Sequence, residues 1–171
     1  MPYIPSGSEV INTVDTVERI GVKEGMIVAD LGCGTQGHFV FPAARAVGER
    51  GKVYAVDILK SALSGVESRA KLEGTNNVKT VWADIESPGM VKIPEVDIVM
   101  LINNQPKEGM LKEAARVTRR GGRLAVVDWK SGATPFGPPT KDRVTKEWVK
   151  DALARMKFRL VSEFEAGKYH F

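Results

Sequence analysis

One cysteine, Cys33, stands in 171 residues, which excludes an internal disulfide and any multi-thiolate metal site. A reducing cytoplasm is the matching expectation, and no metal centre is expected. No apolar run approaches the roughly 20 residues that span a bilayer. The opening Met1-Pro2-Tyr3-Ile4-Pro5-Ser6 lacks a basic stretch followed by an apolar one, so no signal peptide is expected. Internal repeats and low-complexity segments are absent from the sequence. Charge of one sign is also in short supply: 25 Lys and Arg face 21 Asp and Glu, a net charge of +4. That permits contact with nucleic acid without requiring it. The nearest thing to a basic patch is Arg116, Arg119, Arg120 and Arg123, at a helix end, where the macrodipole alone favours cations.

What is present is ordinary for a water-soluble domain: 43% hydrophobic and 27% charged residues. A helix is expected from Ser6 to Ile20, with Val10, Ile11, Val14, Val17 and Ile20 inward. Strands are expected at Met26 to Leu31, Val53 to Asp57, Val78 to Asp84, Val96 to Ile102, Arg123 to Trp129 and Phe158 to Ala166. Helices from about His38 to Gly48, Lys60 to Glu73, Lys107 to Arg119 and Thr145 to Lys157 fall between them. Such alternation implies a Rossmann-like, doubly wound α/β fold: a mostly parallel sheet of six to seven strands with helices on both faces. The whole chain, 1–171, reads as one domain. It divides into an N-terminal arm and helix (1–21), a cofactor-binding core (26–130), a candidate cap loop (131–144) and a C-terminal helix and strand (145–171).

The stretch Asp30-Leu31-Gly32-Cys33-Gly34-Thr35-Gln36-Gly37-His38 is the densest in information. Glycine serves where φ is positive or where a ligand approaches the backbone closely. Three glycines between a buried strand and a helix start therefore mark a nucleotide-cradling loop. The spacing of Gly32, Gly34 and Gly37 also fits a dinucleotide fingerprint. Asp30 argues against a pyrophosphate, which favours the positive end of a helix and is repelled by a carboxylate. A ligand carrying ammonium and sulfonium cations would be attracted instead.

Asp30-Leu31-Gly32-Cys33-Gly34 resembles the first motif of class I S-adenosylmethionine-dependent methyltransferases. The resemblance runs from Ile20 to Ala166, and its flavour is that of the small ubiquinone/menaquinone-type methyltransferase domain. It implies S-adenosyl-L-methionine as cofactor and methyl transfer to a small-molecule acceptor by in-line displacement. It also implies roles for particular residues. Asp57 stands where the family's acidic residue accepts both ribose hydroxyls, and Ile58 follows as an apolar contact to adenine. Asp84 stands where the adenine amine is accepted, beside Ile85. Ile102 and Asn103, at the end of the fourth strand, stand near the methionine part and the substrate. With Asp30, Gly32, Cys33, Gly34 and Gly37 these complete the expected cofactor site. No general base is assigned; His38 and Asn103 are the weak catalytic candidates.

Two departures from the pattern keep alternatives open. Gln36 occupies the usual position of the third glycine, so the loop looks one residue longer. The chain closes on Lys168-Tyr169-His170-Phe171, too short for a full antiparallel final strand. That strand is then a stub, or another chain completes the edge, which allows a homo-oligomer through the C-terminal edge. A dinucleotide (NAD)-binding module and a non-catalytic domain that kept the fold are the rival readings. Asn103-Asn104-Gln105-Pro106 is not the Asn-Pro-Pro-aromatic signature of amino-group methylation on bases, so nucleic acid is weakly supported as acceptor. Tyr3-Ile4-Pro5 and the loop Thr134-Pro135-Phe136-Gly137-Pro138-Pro139 are expected to cap the site. Trp129 and Phe136 are candidates to line an aromatic pocket. Cys33 reads as a small loop residue rather than a nucleophile, and His170 as exposed or part of a strand stub.

Overall fold

The computed structural model describes residues 10–171. The Tyr3-Ile4-Pro5 arm lies outside the described residues. Five strands, β1 (Ile27–Leu31), β2 (Lys52–Asp57), β3 (Val78–Trp82), β4 (Val96–Ile102) and β5 (Thr118–Val127), form one sheet. All pair in parallel in the order β3-β2-β1-β4-β5. Helices α1 (Thr13–Ile20), α2 (Val40–Val47), α3 (Lys60–Glu73), α4 (Glu108–Val117) and α5 (Lys146–Arg155) cover its two faces.

Side-chain alternation along the strands divides the core. Val28, Val53, Ala55, Ile98, Met100 and Ile102 face α1, α2 and α3. Ala29, Leu31, Tyr54, Val56, Val99 and Leu101 face α4 and Ala152 of α5. Strands β1 and β4 are apolar on both sides because both sides are covered. In α1, Asn12 caps the first turn by accepting from the Asp15 N–H at 3.0 Å. Ile11, Val17 and Ile20 are buried, but Val14 is 60% exposed, against expectation. Thr16 takes the inward position instead.

The sheet has fewer strands than expected, and the difference lies at the β5 edge. The run Phe158 to Ala166 is not a strand. It is tied to α5 by ion pairs of Glu163 with Lys146 at 2.7 Å and Lys150 at 2.5 Å. A second tie joins Glu165 to Lys130 at 2.9 Å. An apolar groove of about 440 Å³ therefore separates this run from β5. The last residues do form the expected antiparallel stub: Asp128 and Phe171 exchange backbone hydrogen bonds of 3.2 and 3.0 Å. Strand β5 starts earlier than the glycines suggest, at Thr118, and absorbs Gly121 (φ 75°) in a register shift opposite Val96 and Ile98. Among the described residues, no helix is long and apolar enough to cross a membrane.

Glu113 of α4 is fully buried and anchors the loop that follows β3. Its carboxylate accepts from the Gly89 N–H (2.6 Å), the Val91 N–H (2.7 Å) and the Arg116 guanidinium (2.8 Å). Burial pushes this carboxyl up, but Arg116 and the two backbone donors outweigh burial and leave the pKa below its ordinary value. A depressed folded-state pKa contributes stability above the unfolded value and loses it as pH falls through the folded one. Glu113→Ala is therefore expected to lower the unfolding free energy by about 3 kcal/mol near pH 7. In urea titrations the deficit should shrink as the wild-type carboxylate is protonated below about pH 4. A deficit of the same size at every pH would show that packing, not the charge, is at stake.

Candidate active site

The carboxyl ends of β1, β2 and β4 meet where the strand order reverses, the usual ligand crevice of open α/β sheets. Strand β1 passes into the glycine loop while still bonded to β2: the Gly32 and Cys33 N–H groups both donate to the Val56 carbonyl, at 2.8 and 3.0 Å. That geometry requires φ of 75° at Gly32 and 67° at Gly34. The two glycines serve different ends. A Cβ at 32 would run into the Asn104 side chain, whereas one at 34 would meet nothing within 4 Å. Gly32 is needed for close packing, and Gly34 borders open space. Gly37 is pressed against Val40, Phe41 and Val66. The loop is anchored at Gln36, where Arg69 donates to its carbonyl at 2.8 Å and lies 4.1 Å over the Phe41 ring.

Asp57 closes β2 and holds two loops at once. One carboxylate oxygen accepts from the Gly34 N–H and the other from the Leu59 N–H, each at 2.9 Å. Each oxygen keeps a lone pair for a further donor. Asp30, only 2% exposed, makes no hydrogen bond or ion pair through its carboxylate among the described residues. Burial, with the Asp57 charge adding to it, pushes its pKa up to about 7. Neither carboxylate has a cationic partner among the described residues.

The other expected residues are brought to the same rim in different states. Ile58 and Leu59 are 52% and 58% exposed, beside Trp82, whose indole N–H donates to the Ile58 carbonyl at 2.8 Å. Asp84 caps its own turn, accepting from the Glu86 N–H (2.9 Å) and the Ser87 hydroxyl (2.8 Å), with Ile85 buried beside it. Ile102 is buried at the end of β4, and Asn103 follows with φ of 57° and a buried, unpartnered Oδ1. Burial, then Arg69, holds the His38 pKa below its ordinary value. Burial raises the Cys33 thiol well above the usual range, as do Asp30 and Asp57, which makes it a poor nucleophile.

Three contributors carry no local sequence signal. Asn104 donates through Nδ2 to the Leu31 and Ile102 carbonyls at 2.9 and 3.0 Å, joining β4 to the glycine loop. Asp128, fully buried, accepts from the Gln105 and Trp129 N–H groups at 2.8 and 2.7 Å. Arg143 pins the 131–139 loop by donating to the Lys130, Gly132 and Pro138 carbonyls and to the Thr134 hydroxyl. Trp129 and Phe136 meet edge-to-face at 5.9 Å. His170 is buried rather than exposed, 4.2 Å from Trp129.

The profile of a family described as a methyltransferase domain matches residues 22–166. The chain belongs to the S-adenosylmethionine-dependent methyltransferases. A crystal structure of such an enzyme from Aquifex aeolicus is 27% identical, with a TM-score of 0.86 over 98% of this chain and 90% of that one. Aklanonic acid methyltransferase of Streptomyces sp. (strain C5) is 28% identical over 90% of this chain and 73% of its own length. The ubiquinone/menaquinone biosynthesis C-methyltransferase of Escherichia fergusonii is 35% identical over 67% of this chain. This chain spans about half the length of the quinone methyltransferases it matches, 53% and 47% in two of them.

The residues at the crevice of this methyltransferase fit the cofactor. A buried carboxylate beside a second one, with no cation to balance either and nothing over Gly34 among the described residues, suits a ligand bearing ammonium and sulfonium groups. The same pair strains the ligand-free protein. Because the folded-state pKa of Asp30 is raised, its stabilising contribution is full below about pH 4 and lost as pH rises to about 7. Asp30→Asn is therefore expected to stabilise the ligand-free methyltransferase by a few kcal/mol at pH 8 and hardly at all at pH 4. Thermal unfolding at the two pH values checks this. Equal effects at both would mean that Asp30 is not held as a strained carboxylate.

Proposed function

We propose that this methyltransferase acts on a small, quinone-like aromatic acceptor, with the donor seated at the crevice between β1 and β4. The observation carrying the donor placement is the uncompensated Asp30–Asp57 pair at the mouth of the glycine loop. In this reading Asp57 takes the ribose hydroxyls and Gly32, Cys33, Gly34 and Gly37 pass beneath the donor. Ile58 and Ile85 flank the adenine, Asp84 accepts from its amine, and Ile102 and Asn103 meet the methionine part. The half-exposed Ile58 and the spare lone pairs of Asp57 and Asp84 support these assignments.

S-adenosylmethionine, when bound, supplies a methyl group on a positively charged sulfur, so little activation is left for the protein. Asp30 and Asp57 draw the cation in, and the loop and the β4 turn fix its orientation. Alignment of this kind can be worth effective molarities of ~10⁵ M or more. His38 follows the glycine loop and Asn103 follows β4, and neither is required as a base for an acidic phenol-like nucleophile. The acceptor class draws on the names of the relatives, which act on aklanonic acid and in ubiquinone/menaquinone biosynthesis. The Trp129–Phe136 corner beyond β5, under the loop pinned by Arg143, supports an aromatic acceptor there.

The remaining parts of the reading are of the same standing. Residues 26–130 form the cofactor-binding core, 131–144 cap the acceptor, and 1–21 and 145–171 flank them within one domain. The lone cysteine suits a cytoplasmic enzyme. The β5 edge, where Leu160 and Val161 are 63% and 64% exposed, is the surface for association between copies. Nucleic acid stays the secondary acceptor class.

Thermal unfolding with S-adenosylmethionine, S-adenosylhomocysteine or NAD tests the donor site. A ligand at ~100 times its dissociation constant adds ~2.7 kcal/mol, roughly 5–10 °C for a chain of this size. The adenosyl compounds should give that shift, NAD none, and Asp57→Ala should abolish it. A shift with NAD alone would overturn the reading. Deleting residues 134–139 should leave the shift intact while weakening the acceptor, read as a raised KM in methyl-transfer assays with quinone-like phenols.

A further inference from the structure

The placement of Asn103 at the methionine part leaves two adjoining features of the turn beyond β4 without a physical cause. Asn103 and Gln105 both have positive φ, 57° and 49°, a conformation that non-glycine residues rarely adopt. Such geometry persists only where the surroundings hold it, and it gathers at functional sites. In the same turn the Asn103 side-chain oxygen is buried without a partner among the described residues, although buried polar atoms are nearly always bonded.

The surroundings that hold the turn come from β5. Asp128, one residue past the strand, is fully buried. Its Oδ2 accepts from the Gln105 N–H at 2.8 Å, and its Oδ1 from its neighbour Trp129 at 2.7 Å. The Asn103 N–H is held by the Val127 carbonyl at 2.8 Å. On the other side, Asn104 ties the turn to the Leu31 carbonyl and packs on Gly32, the first glycine of the loop. The Asn103 and Gln105 N–H groups and the Asn104 side chain are thus all held, while the Asn103 side-chain acceptor has no partner among the described residues.

We propose that Asp128 is a positioning residue: its buried carboxylate clamps the 103–105 turn in the left-handed conformation, holding the Asn103 Oδ1 as an acceptor for the ammonium group of the methyl donor. This rests on the donor placement given above. The carboxylate never touches the donor. It acts through the turn, and a neutral side chain at 128 would let the strained residues relax and withdraw the acceptor.

The test is calorimetric titration with two ligands that differ in the amino-acid arm, whose ammonium Asn103 would hold. S-adenosylhomocysteine carries the amino-acid arm; methylthioadenosine shares the nucleoside and sulfur but lacks that arm. Asn103→Gly, which keeps the positive φ without strain, should weaken S-adenosylhomocysteine about tenfold or more and methylthioadenosine less than about twofold. Asp128→Asn should give the same selective loss, and adding Gln105→Gly should restore part of it, because glycine holds the turn unaided. Thermal unfolding of each variant checks that it is folded; Asp128→Ser gives the same reading where D128N is not. Equal weakening of both ligands by the Asp128 variants, no weakening of either, or an unchanged affinity in N103G would each overturn the proposal. Wild-type protein that binds neither ligand would overturn the donor placement as well, whereas normal wild-type binding without discrimination in the variants sinks this inference alone.

Discussion

Two carboxylates buried at the ends of adjacent strands, with no cation among the described residues to balance them, are the constraint around which this molecule is arranged. Asp57 is tolerable because two backbone N–H groups bond to it. Asp30 has no such help among the described residues, and burial beside a second acid raises its pKa to about 7. A charge in that position is costly to the ligand-free fold and valuable to a cationic ligand, because the low local polarity that penalises the unpaired anion strengthens its pairing. Stability and binding are therefore opposed at one residue.

The elements around the pair limit where a ligand can go. Glycines 32 and 37 are spent on close packing, which leaves the space over Gly34 as the open part of the loop. Arg69 reaches from α3 to the Gln36 carbonyl and fixes the loop there. The β4 turn is fixed from β5 by Asp128 and from β1 through Asn104. A ligand seated at this crevice would meet backbone held in place on each of these sides, which is what alignment requires.

The fold was largely legible because periodicity and punctuation agreed. Apolar runs such as Ile98 to Ile102 announce strands covered on both faces, and Gly21 and Gly74 end helices where their positive φ is needed. Phe158 to Ala166 misled because its apolar residues suit a strand, while Glu163 and Glu165 find lysines on α5 and beyond β5 that hold the run away from the sheet. Local pattern carries no information about such partners. Val14 misled in the same way: the helical stripe is real, but the face it extends ends before Val14 reaches a neighbour.

By itself the sequence determined the α/β class, the order of the elements and the residues Asp30, Gly32, Gly34 and Asp57, since those follow from spacing along one stretch of chain and from the charge a ligand must complement. Tertiary structure alone decided that the two acids share a buried corner, that Asn104 packs on Gly32, that Asp128 reaches back from β5 to the β4 turn, and that the sheet stops at five strands. The first three depend on residues 23 to 72 positions apart brought together by parallel crossovers, and the energies concerned, burial and hydrogen-bond satisfaction, exist only once the neighbours are in place.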